Sequence, residues 1–248
     1  MKRDIREREI TEILNILTEN NVGNLQQANI LEIGCGDGRL SYQLLTHVNS
    51  LQAIDPSEED IAKAKSSLNG RENISFQVAD AQKLPFDDNS FEFVIFSLSL
   101  CCMGELKNMQ SALREAYRVL KPDGYVLNLQ PSMKIHFLSG FQWYLITKQM
   151  DKLTKLSSQE SRFALKLAVF EEKMFTYLDE CDFDTKWFQD DKETALKYWV
   201  EDDQDEYDKL DGETKKRIED YVDQFVTDEG VVYPVAECLT LLRKLDKH

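Results

Sequence analysis

Residues 30–39 read Ile30-Leu31-Glu32-Ile33-Gly34-Cys35-Gly36-Asp37-Gly38-Arg39, and this stretch decides the fold. A short aliphatic run from Ala28 ends in glycines, and a helical pattern follows from about Arg39 to Val48. A strand, a glycine-rich turn and a helix together bring the N–H groups of a helix N-terminus up to a ligand, with glycine allowing close approach of the backbone. The spacing narrows the choice of ligand. A dinucleotide fingerprint is G-x-G-x-x-G, whereas here the third glycine comes one residue early at Gly38 and Arg39 stands where such proteins need close helix packing. An NAD-dependent oxidoreductase is therefore the less favoured reading. A purely structural turn is disfavoured too, because three glycines in five residues carry a backbone-entropy cost that a plain turn would not require.

Working outward, Ile10, Ile13, Leu14 and Leu17 repeat at helical spacing and predict an amphipathic helix over about residues 3–20. Downstream the strand–helix rhythm continues. Leu51–Asp55 reads as strand, Glu58–Leu68 as helix, Ile74–Val78 as strand, and Phe91–Phe96 as a longer buried strand. Ala112, Leu113, Ala116, Tyr117 and Leu120 then mark a helix that Lys121-Pro122-Asp123-Gly124 stops before the strand Tyr125–Leu129. Alternation of this kind over residues 28–130 predicts an α/β fold, Rossmann-like and doubly wound on a mostly parallel sheet. Past Pro131 the pattern predicts a long helical region over about 133–180, a strand Phe183–Phe188, mostly helix over 190–229 and a closing strand Val235–Leu242. With no linker composition between them, these late segments read as insertions in a single domain spanning 1–248.

Two acids sit where strands end. Asp55, followed by Pro56, lies 17 residues after Gly38 and is placed to accept from both hydroxyls of a ribose. Asp80, followed by Ala81, is placed to accept from the exocyclic amine of adenine.

Taken in order, the Glu32-x-Gly34-x-Gly36-x-Gly38 loop, Asp55, Asp80-Ala81, the run Leu84-Pro85-Phe86…Ser90-Phe91-Glu92 and Leu113-Arg114-Glu115…Arg118-Val119-Leu120-Lys121-Pro122-Asp123-Gly124 resemble the class I S-adenosylmethionine-dependent methyltransferases. Within that class the resemblance is to the small-molecule group of the ubiquinone/menaquinone-biosynthesis type. It implies a seven-stranded sheet with an antiparallel last strand, and S-adenosyl-L-methionine as cofactor with S-adenosyl-L-homocysteine as product. It further implies that Glu32, Gly34 and Gly36 flank the methionine part, that Asp55 holds the ribose and that Asp80 and Ala81 meet the adenine, with Cys35, Gly38, Pro56 and Ser97 also in the cofactor-binding set. Many relatives carry a His-His pair after that strand; here the chain reads Ser97-Leu98-Ser99-Leu100-Cys101-Cys102-Met103.

Methyl transfer from a sulfonium needs alignment and desolvation more than a strong base. Of His47, His136 and His248, only His136 falls near the crevice by topology, so it is the candidate base, with a surface histidine as the plainer alternative. Cys101 is a candidate for the acceptor pocket, although buried thiols usually act as small hydrophobes. Phe137, Phe141, Trp143, Tyr144, Trp187, Tyr198 and Trp199 supply aromatics in a C-terminal half that holds every tryptophan, while residues 1–41 hold no aromatic at all. Phe137, Trp143 and Trp199 are accordingly candidates to contact substrate. Around a cofactor-binding core of about 28–132, insertions at about 133–169 and 193–229 are expected to cap the acceptor, although aromatics at helical spacing more often belong to a core.

Composition excludes other classes. With 42% hydrophobic residues and 10% aromatics the 248-residue chain is expected to fold throughout. Its formal net charge of −15 disfavours nucleic acid as a partner, since phosphate recognition needs a basic field. Residues 190–229, with 16 acidic against 6 basic side chains, read as a solvated face. The charged N-terminus and the lack of any apolar run of about 18 residues predict neither export nor a membrane span. Five cysteines without a Cys-x-x-Cys pair suit a reducing cytoplasm, and no metal-ligand spacing occurs. The alternative from another class is a methyltransferase-like binding protein without turnover, acting in a complex.

Overall fold

The computed structural model describes residues 7–23, 25–132, 158–198 and 211–246. Eight strands form one sheet in the order β3-β2-β1-β4-β5-β8-β6, with the short β7 paired to β8. The first five are β1 (Asn29–Ile33), β2 (Ser50–Asp55), β3 (Ile74–Val78), β4 (Phe91–Ser97) and β5 (Leu120–Pro131), all parallel, as predicted. β6 (Phe175–Gln189), β7 (Val226–Thr227) and β8 (Gly230–Lys244) follow, and β8 runs antiparallel to β5 on one side and to β6 on the other. This is the mixed sheet with a reversed last strand that the resemblance implied.

On one face lie α1 (Glu7–Glu19), α2 (Arg39–Leu44) and α3 (Glu58–Ser67). The predicted apolar stripe of α1 is the reason it docks: Ile10, Ile13, Ile16 and Leu17 are buried against Ile30, Phe93, Leu127, Phe183 and Leu239 of the sheet. α4 (Leu106–Val119) covers the opposite face through Met109, Ala112, Leu113 and Ala116. Beside it lies α5, helical over residues 158–166 and ending in a π turn, Leu167–Glu171, with Ala164, Leu165 and Ala168 in the same core as Phe96, Val126 and Leu242. Finally, α6 (Lys192–Tyr198) and α7 (Gly212–Val222) pack on each other, with α6 also against β6 and β8.

The structure corrects several boundaries. The long helical region expected over 133–180 gives way to strand at Phe175, because β6 is drawn into a long ladder along β8, from Phe175 opposite Lys244 to Gln189 opposite Val231, with one register shift at Leu178. Tertiary pairing here overrides a helical pattern that was only local. The mostly helical reading of 190–229 likewise fails at Val226–Thr227, which turns back on Gly230 and Val231 as a hairpin. The stop at Lys121-Pro122-Asp123-Gly124 is real but takes the form of a bulge: Phe91 and Phe93 face Leu120 and Tyr125, so the four residues between are looped out, with Asp123 at φ 58°.

Candidate active site

At the carboxyl end of β1 the chain enters the glycine loop, and the three glycines prove to do different things. Gly34, at φ 77°, sits so close to the loop after β4 that a Cβ would come within 2.1 Å of the Ser99 Cβ. Ser99 in turn donates from Oγ to the Ile33 carbonyl at 2.6 Å, locking the two strand ends together. Gly36, at φ 53°, has open space where a Cβ would stand. Gly38, at φ 86°, opens α2, and its missing Cβ faces Ala64 of α3 at 3.2 Å and Leu68, just past that helix's end, at 3.3 Å. Close helix packing is therefore Gly38's task here, one residue before the position at which a dinucleotide site requires it.

The loop is tied to β2. The Gly34 and Cys35 N–H groups donate to the Ile54 carbonyl at 2.8 and 3.0 Å. The Gly36 N–H donates to Asp55 Oδ2 at 3.0 Å, while the Ser57 N–H donates to Asp55 Oδ1 at 2.9 Å. Asp55 is thus oriented by two backbone donors and keeps further lone pairs, and Pro56 beside it is exposed. Asp80 is oriented likewise, through the Gln82 N–H on Oδ1 at 2.8 Å, and Ala81 is buried next to it. Glu32, Asp55, Asp80 and Ser97 therefore gather at the carboxyl ends of neighbouring parallel strands, where open α/β sheets bind ligands.

Glu32 is the unusual member. It is fully buried on the α1 face, with Ser41 Oγ donating to its Oε2, whereas Oε1 has no hydrogen-bond partner. Burial pushes its carboxyl up to about 7; the Ser41 hydroxyl and the Arg39 guanidinium pull down, Glu9 pushes up, and Ser97 pulls down. Arg39 itself is ion-paired with the fully buried Glu9 and also feels Glu237 and Glu32, so one guanidinium serves three buried carboxyls. Sequence reasoning found Glu32 but missed Glu9, Ser41, Ser99 and Glu237. Of these only Ser41, placed in the first turn of α2 directly after the loop, was within reach of a local argument.

Past β4, Leu98 is held at φ 54°, and its carbonyl accepts from the thiols of Cys101 and Cys102 at 3.7 and 3.2 Å. A left-handed leucine between Ser97 and Ser99 is local strain of the kind that collects at binding sites. Cys101 is buried, and its thiol is pushed well above the ordinary range by the Cys102 thiol and by burial; Cys35 is raised by burial. Both are poor thiolates.

His136, Phe137, Phe141, Trp143, Tyr144 and Trp199 lie outside the described residues, as do the side chains of Trp187 and Tyr198. His47 stands at the far end of β1, where the neighbouring Asn49 N–H donates to Ala28. Of the segment assigned to the cap, residues 158–169 pack on the sheet face beside α4. Among the described residues no helix is long and apolar enough to cross a membrane, and no group of three or more His, Cys, Asp and Glu side chains could hold a metal ion.

Sheet order, glycine loop and strand-end acids together define a Rossmann-like class I methyltransferase fold. Residues 31–128 match the family profile described as a methyltransferase domain. Among similar proteins, the ubiquinone/menaquinone biosynthesis C-methyltransferase of Rickettsia bellii is 32% identical over 139 residues, which is 52% of this chain and 55% of that one. The chain spans about half the length of the curated relatives it matches. Likeness of fold extends further. The YcgJ protein of Bacillus subtilis superposes with a TM-score of 0.59 at 20% identity, covering 96% of this chain and 100% of that one. The N-methyltransferase NodS of Bradyrhizobium japonicum, solved with S-adenosyl-L-homocysteine, gives 0.55 at 13% identity, covering 96% and 87%.

Proposed function

We propose that the whole chain transfers a methyl group from S-adenosylmethionine to a small-molecule acceptor in a reducing cytoplasm. The observation that carries this reading is the pairing of Gly36, open on its side-chain side, with Asp55 across the β1–β2 crevice, above the buried and incompletely bonded Glu32. That donor set fits the cofactor: two acids and an unpartnered carboxyl oxygen suit a ligand carrying an ammonium and a sulfonium, whereas a pyrophosphate would be repelled. When bound, S-adenosylmethionine supplies a methyl group made electrophilic by a positive sulfur. Asp55 then accepts from the ribose hydroxyls with the oxygen positions its two backbone donors leave open, Asp80 and Ala81 border the adenine, and Glu32 with the Gly34–Gly36 backbone holds the methionine end. Ser97 and the strained Leu98 turn set the edge over which an acceptor approaches in line.

An acceptor of small size fits the chain's charge of −15 better than a polyanion does, and five cysteines with no disulfide fit a reducing compartment. Of the insertions expected to cap the acceptor, about 133–169 and 193–229, residues 158–169 serve as a sheet-face helix, while 133–157 and 199–210 lie outside the described residues. Titration calorimetry tests the reading. S-adenosylmethionine and S-adenosylhomocysteine should bind and NAD should not, and Asp55→Ala should weaken binding by about 1.5–3 kcal/mol, the range for a charged hydrogen-bonding partner. Equal binding of NAD, or unchanged affinity in Asp55→Ala, would refute it; binding without methyl transfer to any acceptor would favour the non-catalytic alternative.

A further inference from the structure

On the face of the sheet opposite Glu32, the carboxyl half of β5 carries two amides where an apolar strand would be expected. Asn128 lies opposite Phe96 of β4 and Gln130 opposite Cys238 of β8; both are fully buried. Leu129 between them receives the Leu98 N–H at 3.0 Å, so Gln130 stands one residue beyond the end of β4, beside the Leu98 turn. Above the amides lie Ser158 and Ser161 of α5, likewise buried.

The hydrogen-bond inventory of this cluster does not close. Gln130 Oε1 accepts from Asn128 Nδ2 at 3.1 Å and from Ser161 Oγ at 2.6 Å, which uses both its lone pairs. That leaves Gln130 Nε2, Asn128 Oδ1 and Ser158 Oγ without a partner. Interchanging oxygen and nitrogen in both amides does not repair this, because Gln130 would then donate to Asn128 and leave one NH2 and one carbonyl orphaned as before. Burying such groups unpaired is costly, so a native fold retains several together only where something else supplies the partners. Arg162, the residue after Ser161, donates from Nη1 to Glu180 at 3.3 Å and from Nη2 to the Cys238 sulfur at 3.1 Å.

We propose that Asn128, Gln130 and Ser158 recognise a neutral part of the methyl acceptor that both donates and accepts a hydrogen bond, such as a hydroxyl or a primary amide, and so fix which acceptor is methylated. This rests on the methyl-transfer reading above. An orphaned donor and an orphaned acceptor on adjacent amides match such a group, whereas a carboxylate would meet the Asn128 carbonyl and an ammonium the Gln130 NH2.

Fragment binding to the full chain saturated with S-adenosylhomocysteine tests the proposal, with phenol and benzamide as neutral probes and benzoate, benzylamine and toluene as controls. Phenol or benzamide should bind in the millimolar range usual for fragments and the controls more weakly. The double variant N128L/Q130L should lose that binding about tenfold or more while its melting temperature holds or rises, since apolar replacement of an incompletely bonded pair removes a folding cost. Its affinity for S-adenosylhomocysteine should stay within about twofold of the parent. Absent fragment binding in the parent, equal binding of benzoate or toluene, or a marked fall in the variant's melting temperature would each overturn the proposal. Failure of the parent to bind S-adenosylhomocysteine would instead remove the cofactor reading, and this proposal with it.

Discussion

On the proposed reading, Glu32 connects stability with cofactor binding. Its carboxyl is raised to about 7, chiefly by burial, so the ligand-free protein is held best when Glu32 is protonated. That contribution is full below the ordinary value of 4.5 and is lost as pH rises through about 7, up to about 3 kcal/mol in all. A bound ammonium and sulfonium favour the ionised form instead. Affinity for S-adenosylmethionine should therefore fall about tenfold from pH 8 to pH 6, with a proton released on binding at the lower pH. In Glu32→Gln the slope should vanish, affinity at pH 8 should drop, and the ligand-free protein should melt higher than the parent at pH 8. Calorimetry in buffers of different ionisation enthalpy reads the proton directly; a pH-independent affinity in the parent would show that Glu32 does not face the cofactor.

At the scale of elements, the bulge near the start of β5 sets the register of the part of that strand that carries Asn128 and Gln130. Asp123 occupies a left-handed conformation at φ 58°, and a Cβ on Gly124 would come within 2.9 Å of the Lys121 carbonyl and 3.1 Å of the Glu92 carbonyl. Asp123→Gly should be neutral or stabilise by up to about 1 kcal/mol, because relief of strain offsets the added freedom of the unfolded chain. Gly124→Ala should destabilise by about 1–3 kcal/mol through overpacking against backbone. Urea denaturation of both variants gives the comparison, and the opposite order would mean that the bulge is not formed as described. Such elements were legible in the sequence wherever the signal was local: the glycine loop, the α1 stripe and the stop at residues 121–124 all follow from neighbours in the chain. Phe175–Leu178 was read wrongly because its partner, β8, lies more than 60 residues away, and only that pairing makes it strand. The acids at the ends of β1, β2 and β3 could be anticipated from spacing, whereas Glu9 pairs with Arg39, and Glu237 acts on it, only because the tertiary fold brings α1 and β8 near that guanidinium. Gly38 was legible as special but not as a contact for α3, which needs the third dimension.

For the whole molecule, the excess of acids bears on partners. At moderate salt the chain should show no appreciable affinity for RNA or duplex DNA, and a salt-dependent gel shift at low micromolar protein would overturn this. The acids of residues 211–229 are largely exposed, in keeping with a solvated face.

The place of β8 also bears on how the protein is made. β5 is complete in sequence at Pro131, yet the strand that covers its outer edge begins at Gly230, and among the described residues β6 pairs in the sheet with β8 alone. A ribosome adding about 5–20 residues per second takes roughly 5–20 s to bridge that gap, during which the apolar edge Val126-Leu127-Asn128-Leu129 has no neighbour. A chain ended after Thr227 should accordingly keep its whole glycine loop and still be recovered as aggregate, and recovery of a monodisperse, cofactor-binding fragment would disprove this. In the nascent protein, the glycine-loop crevice is encoded early but the sheet beneath it is sealed last, so the yield of folded protein should depend on that edge staying apart from other chains until the fifteen-residue strand β8 emerges.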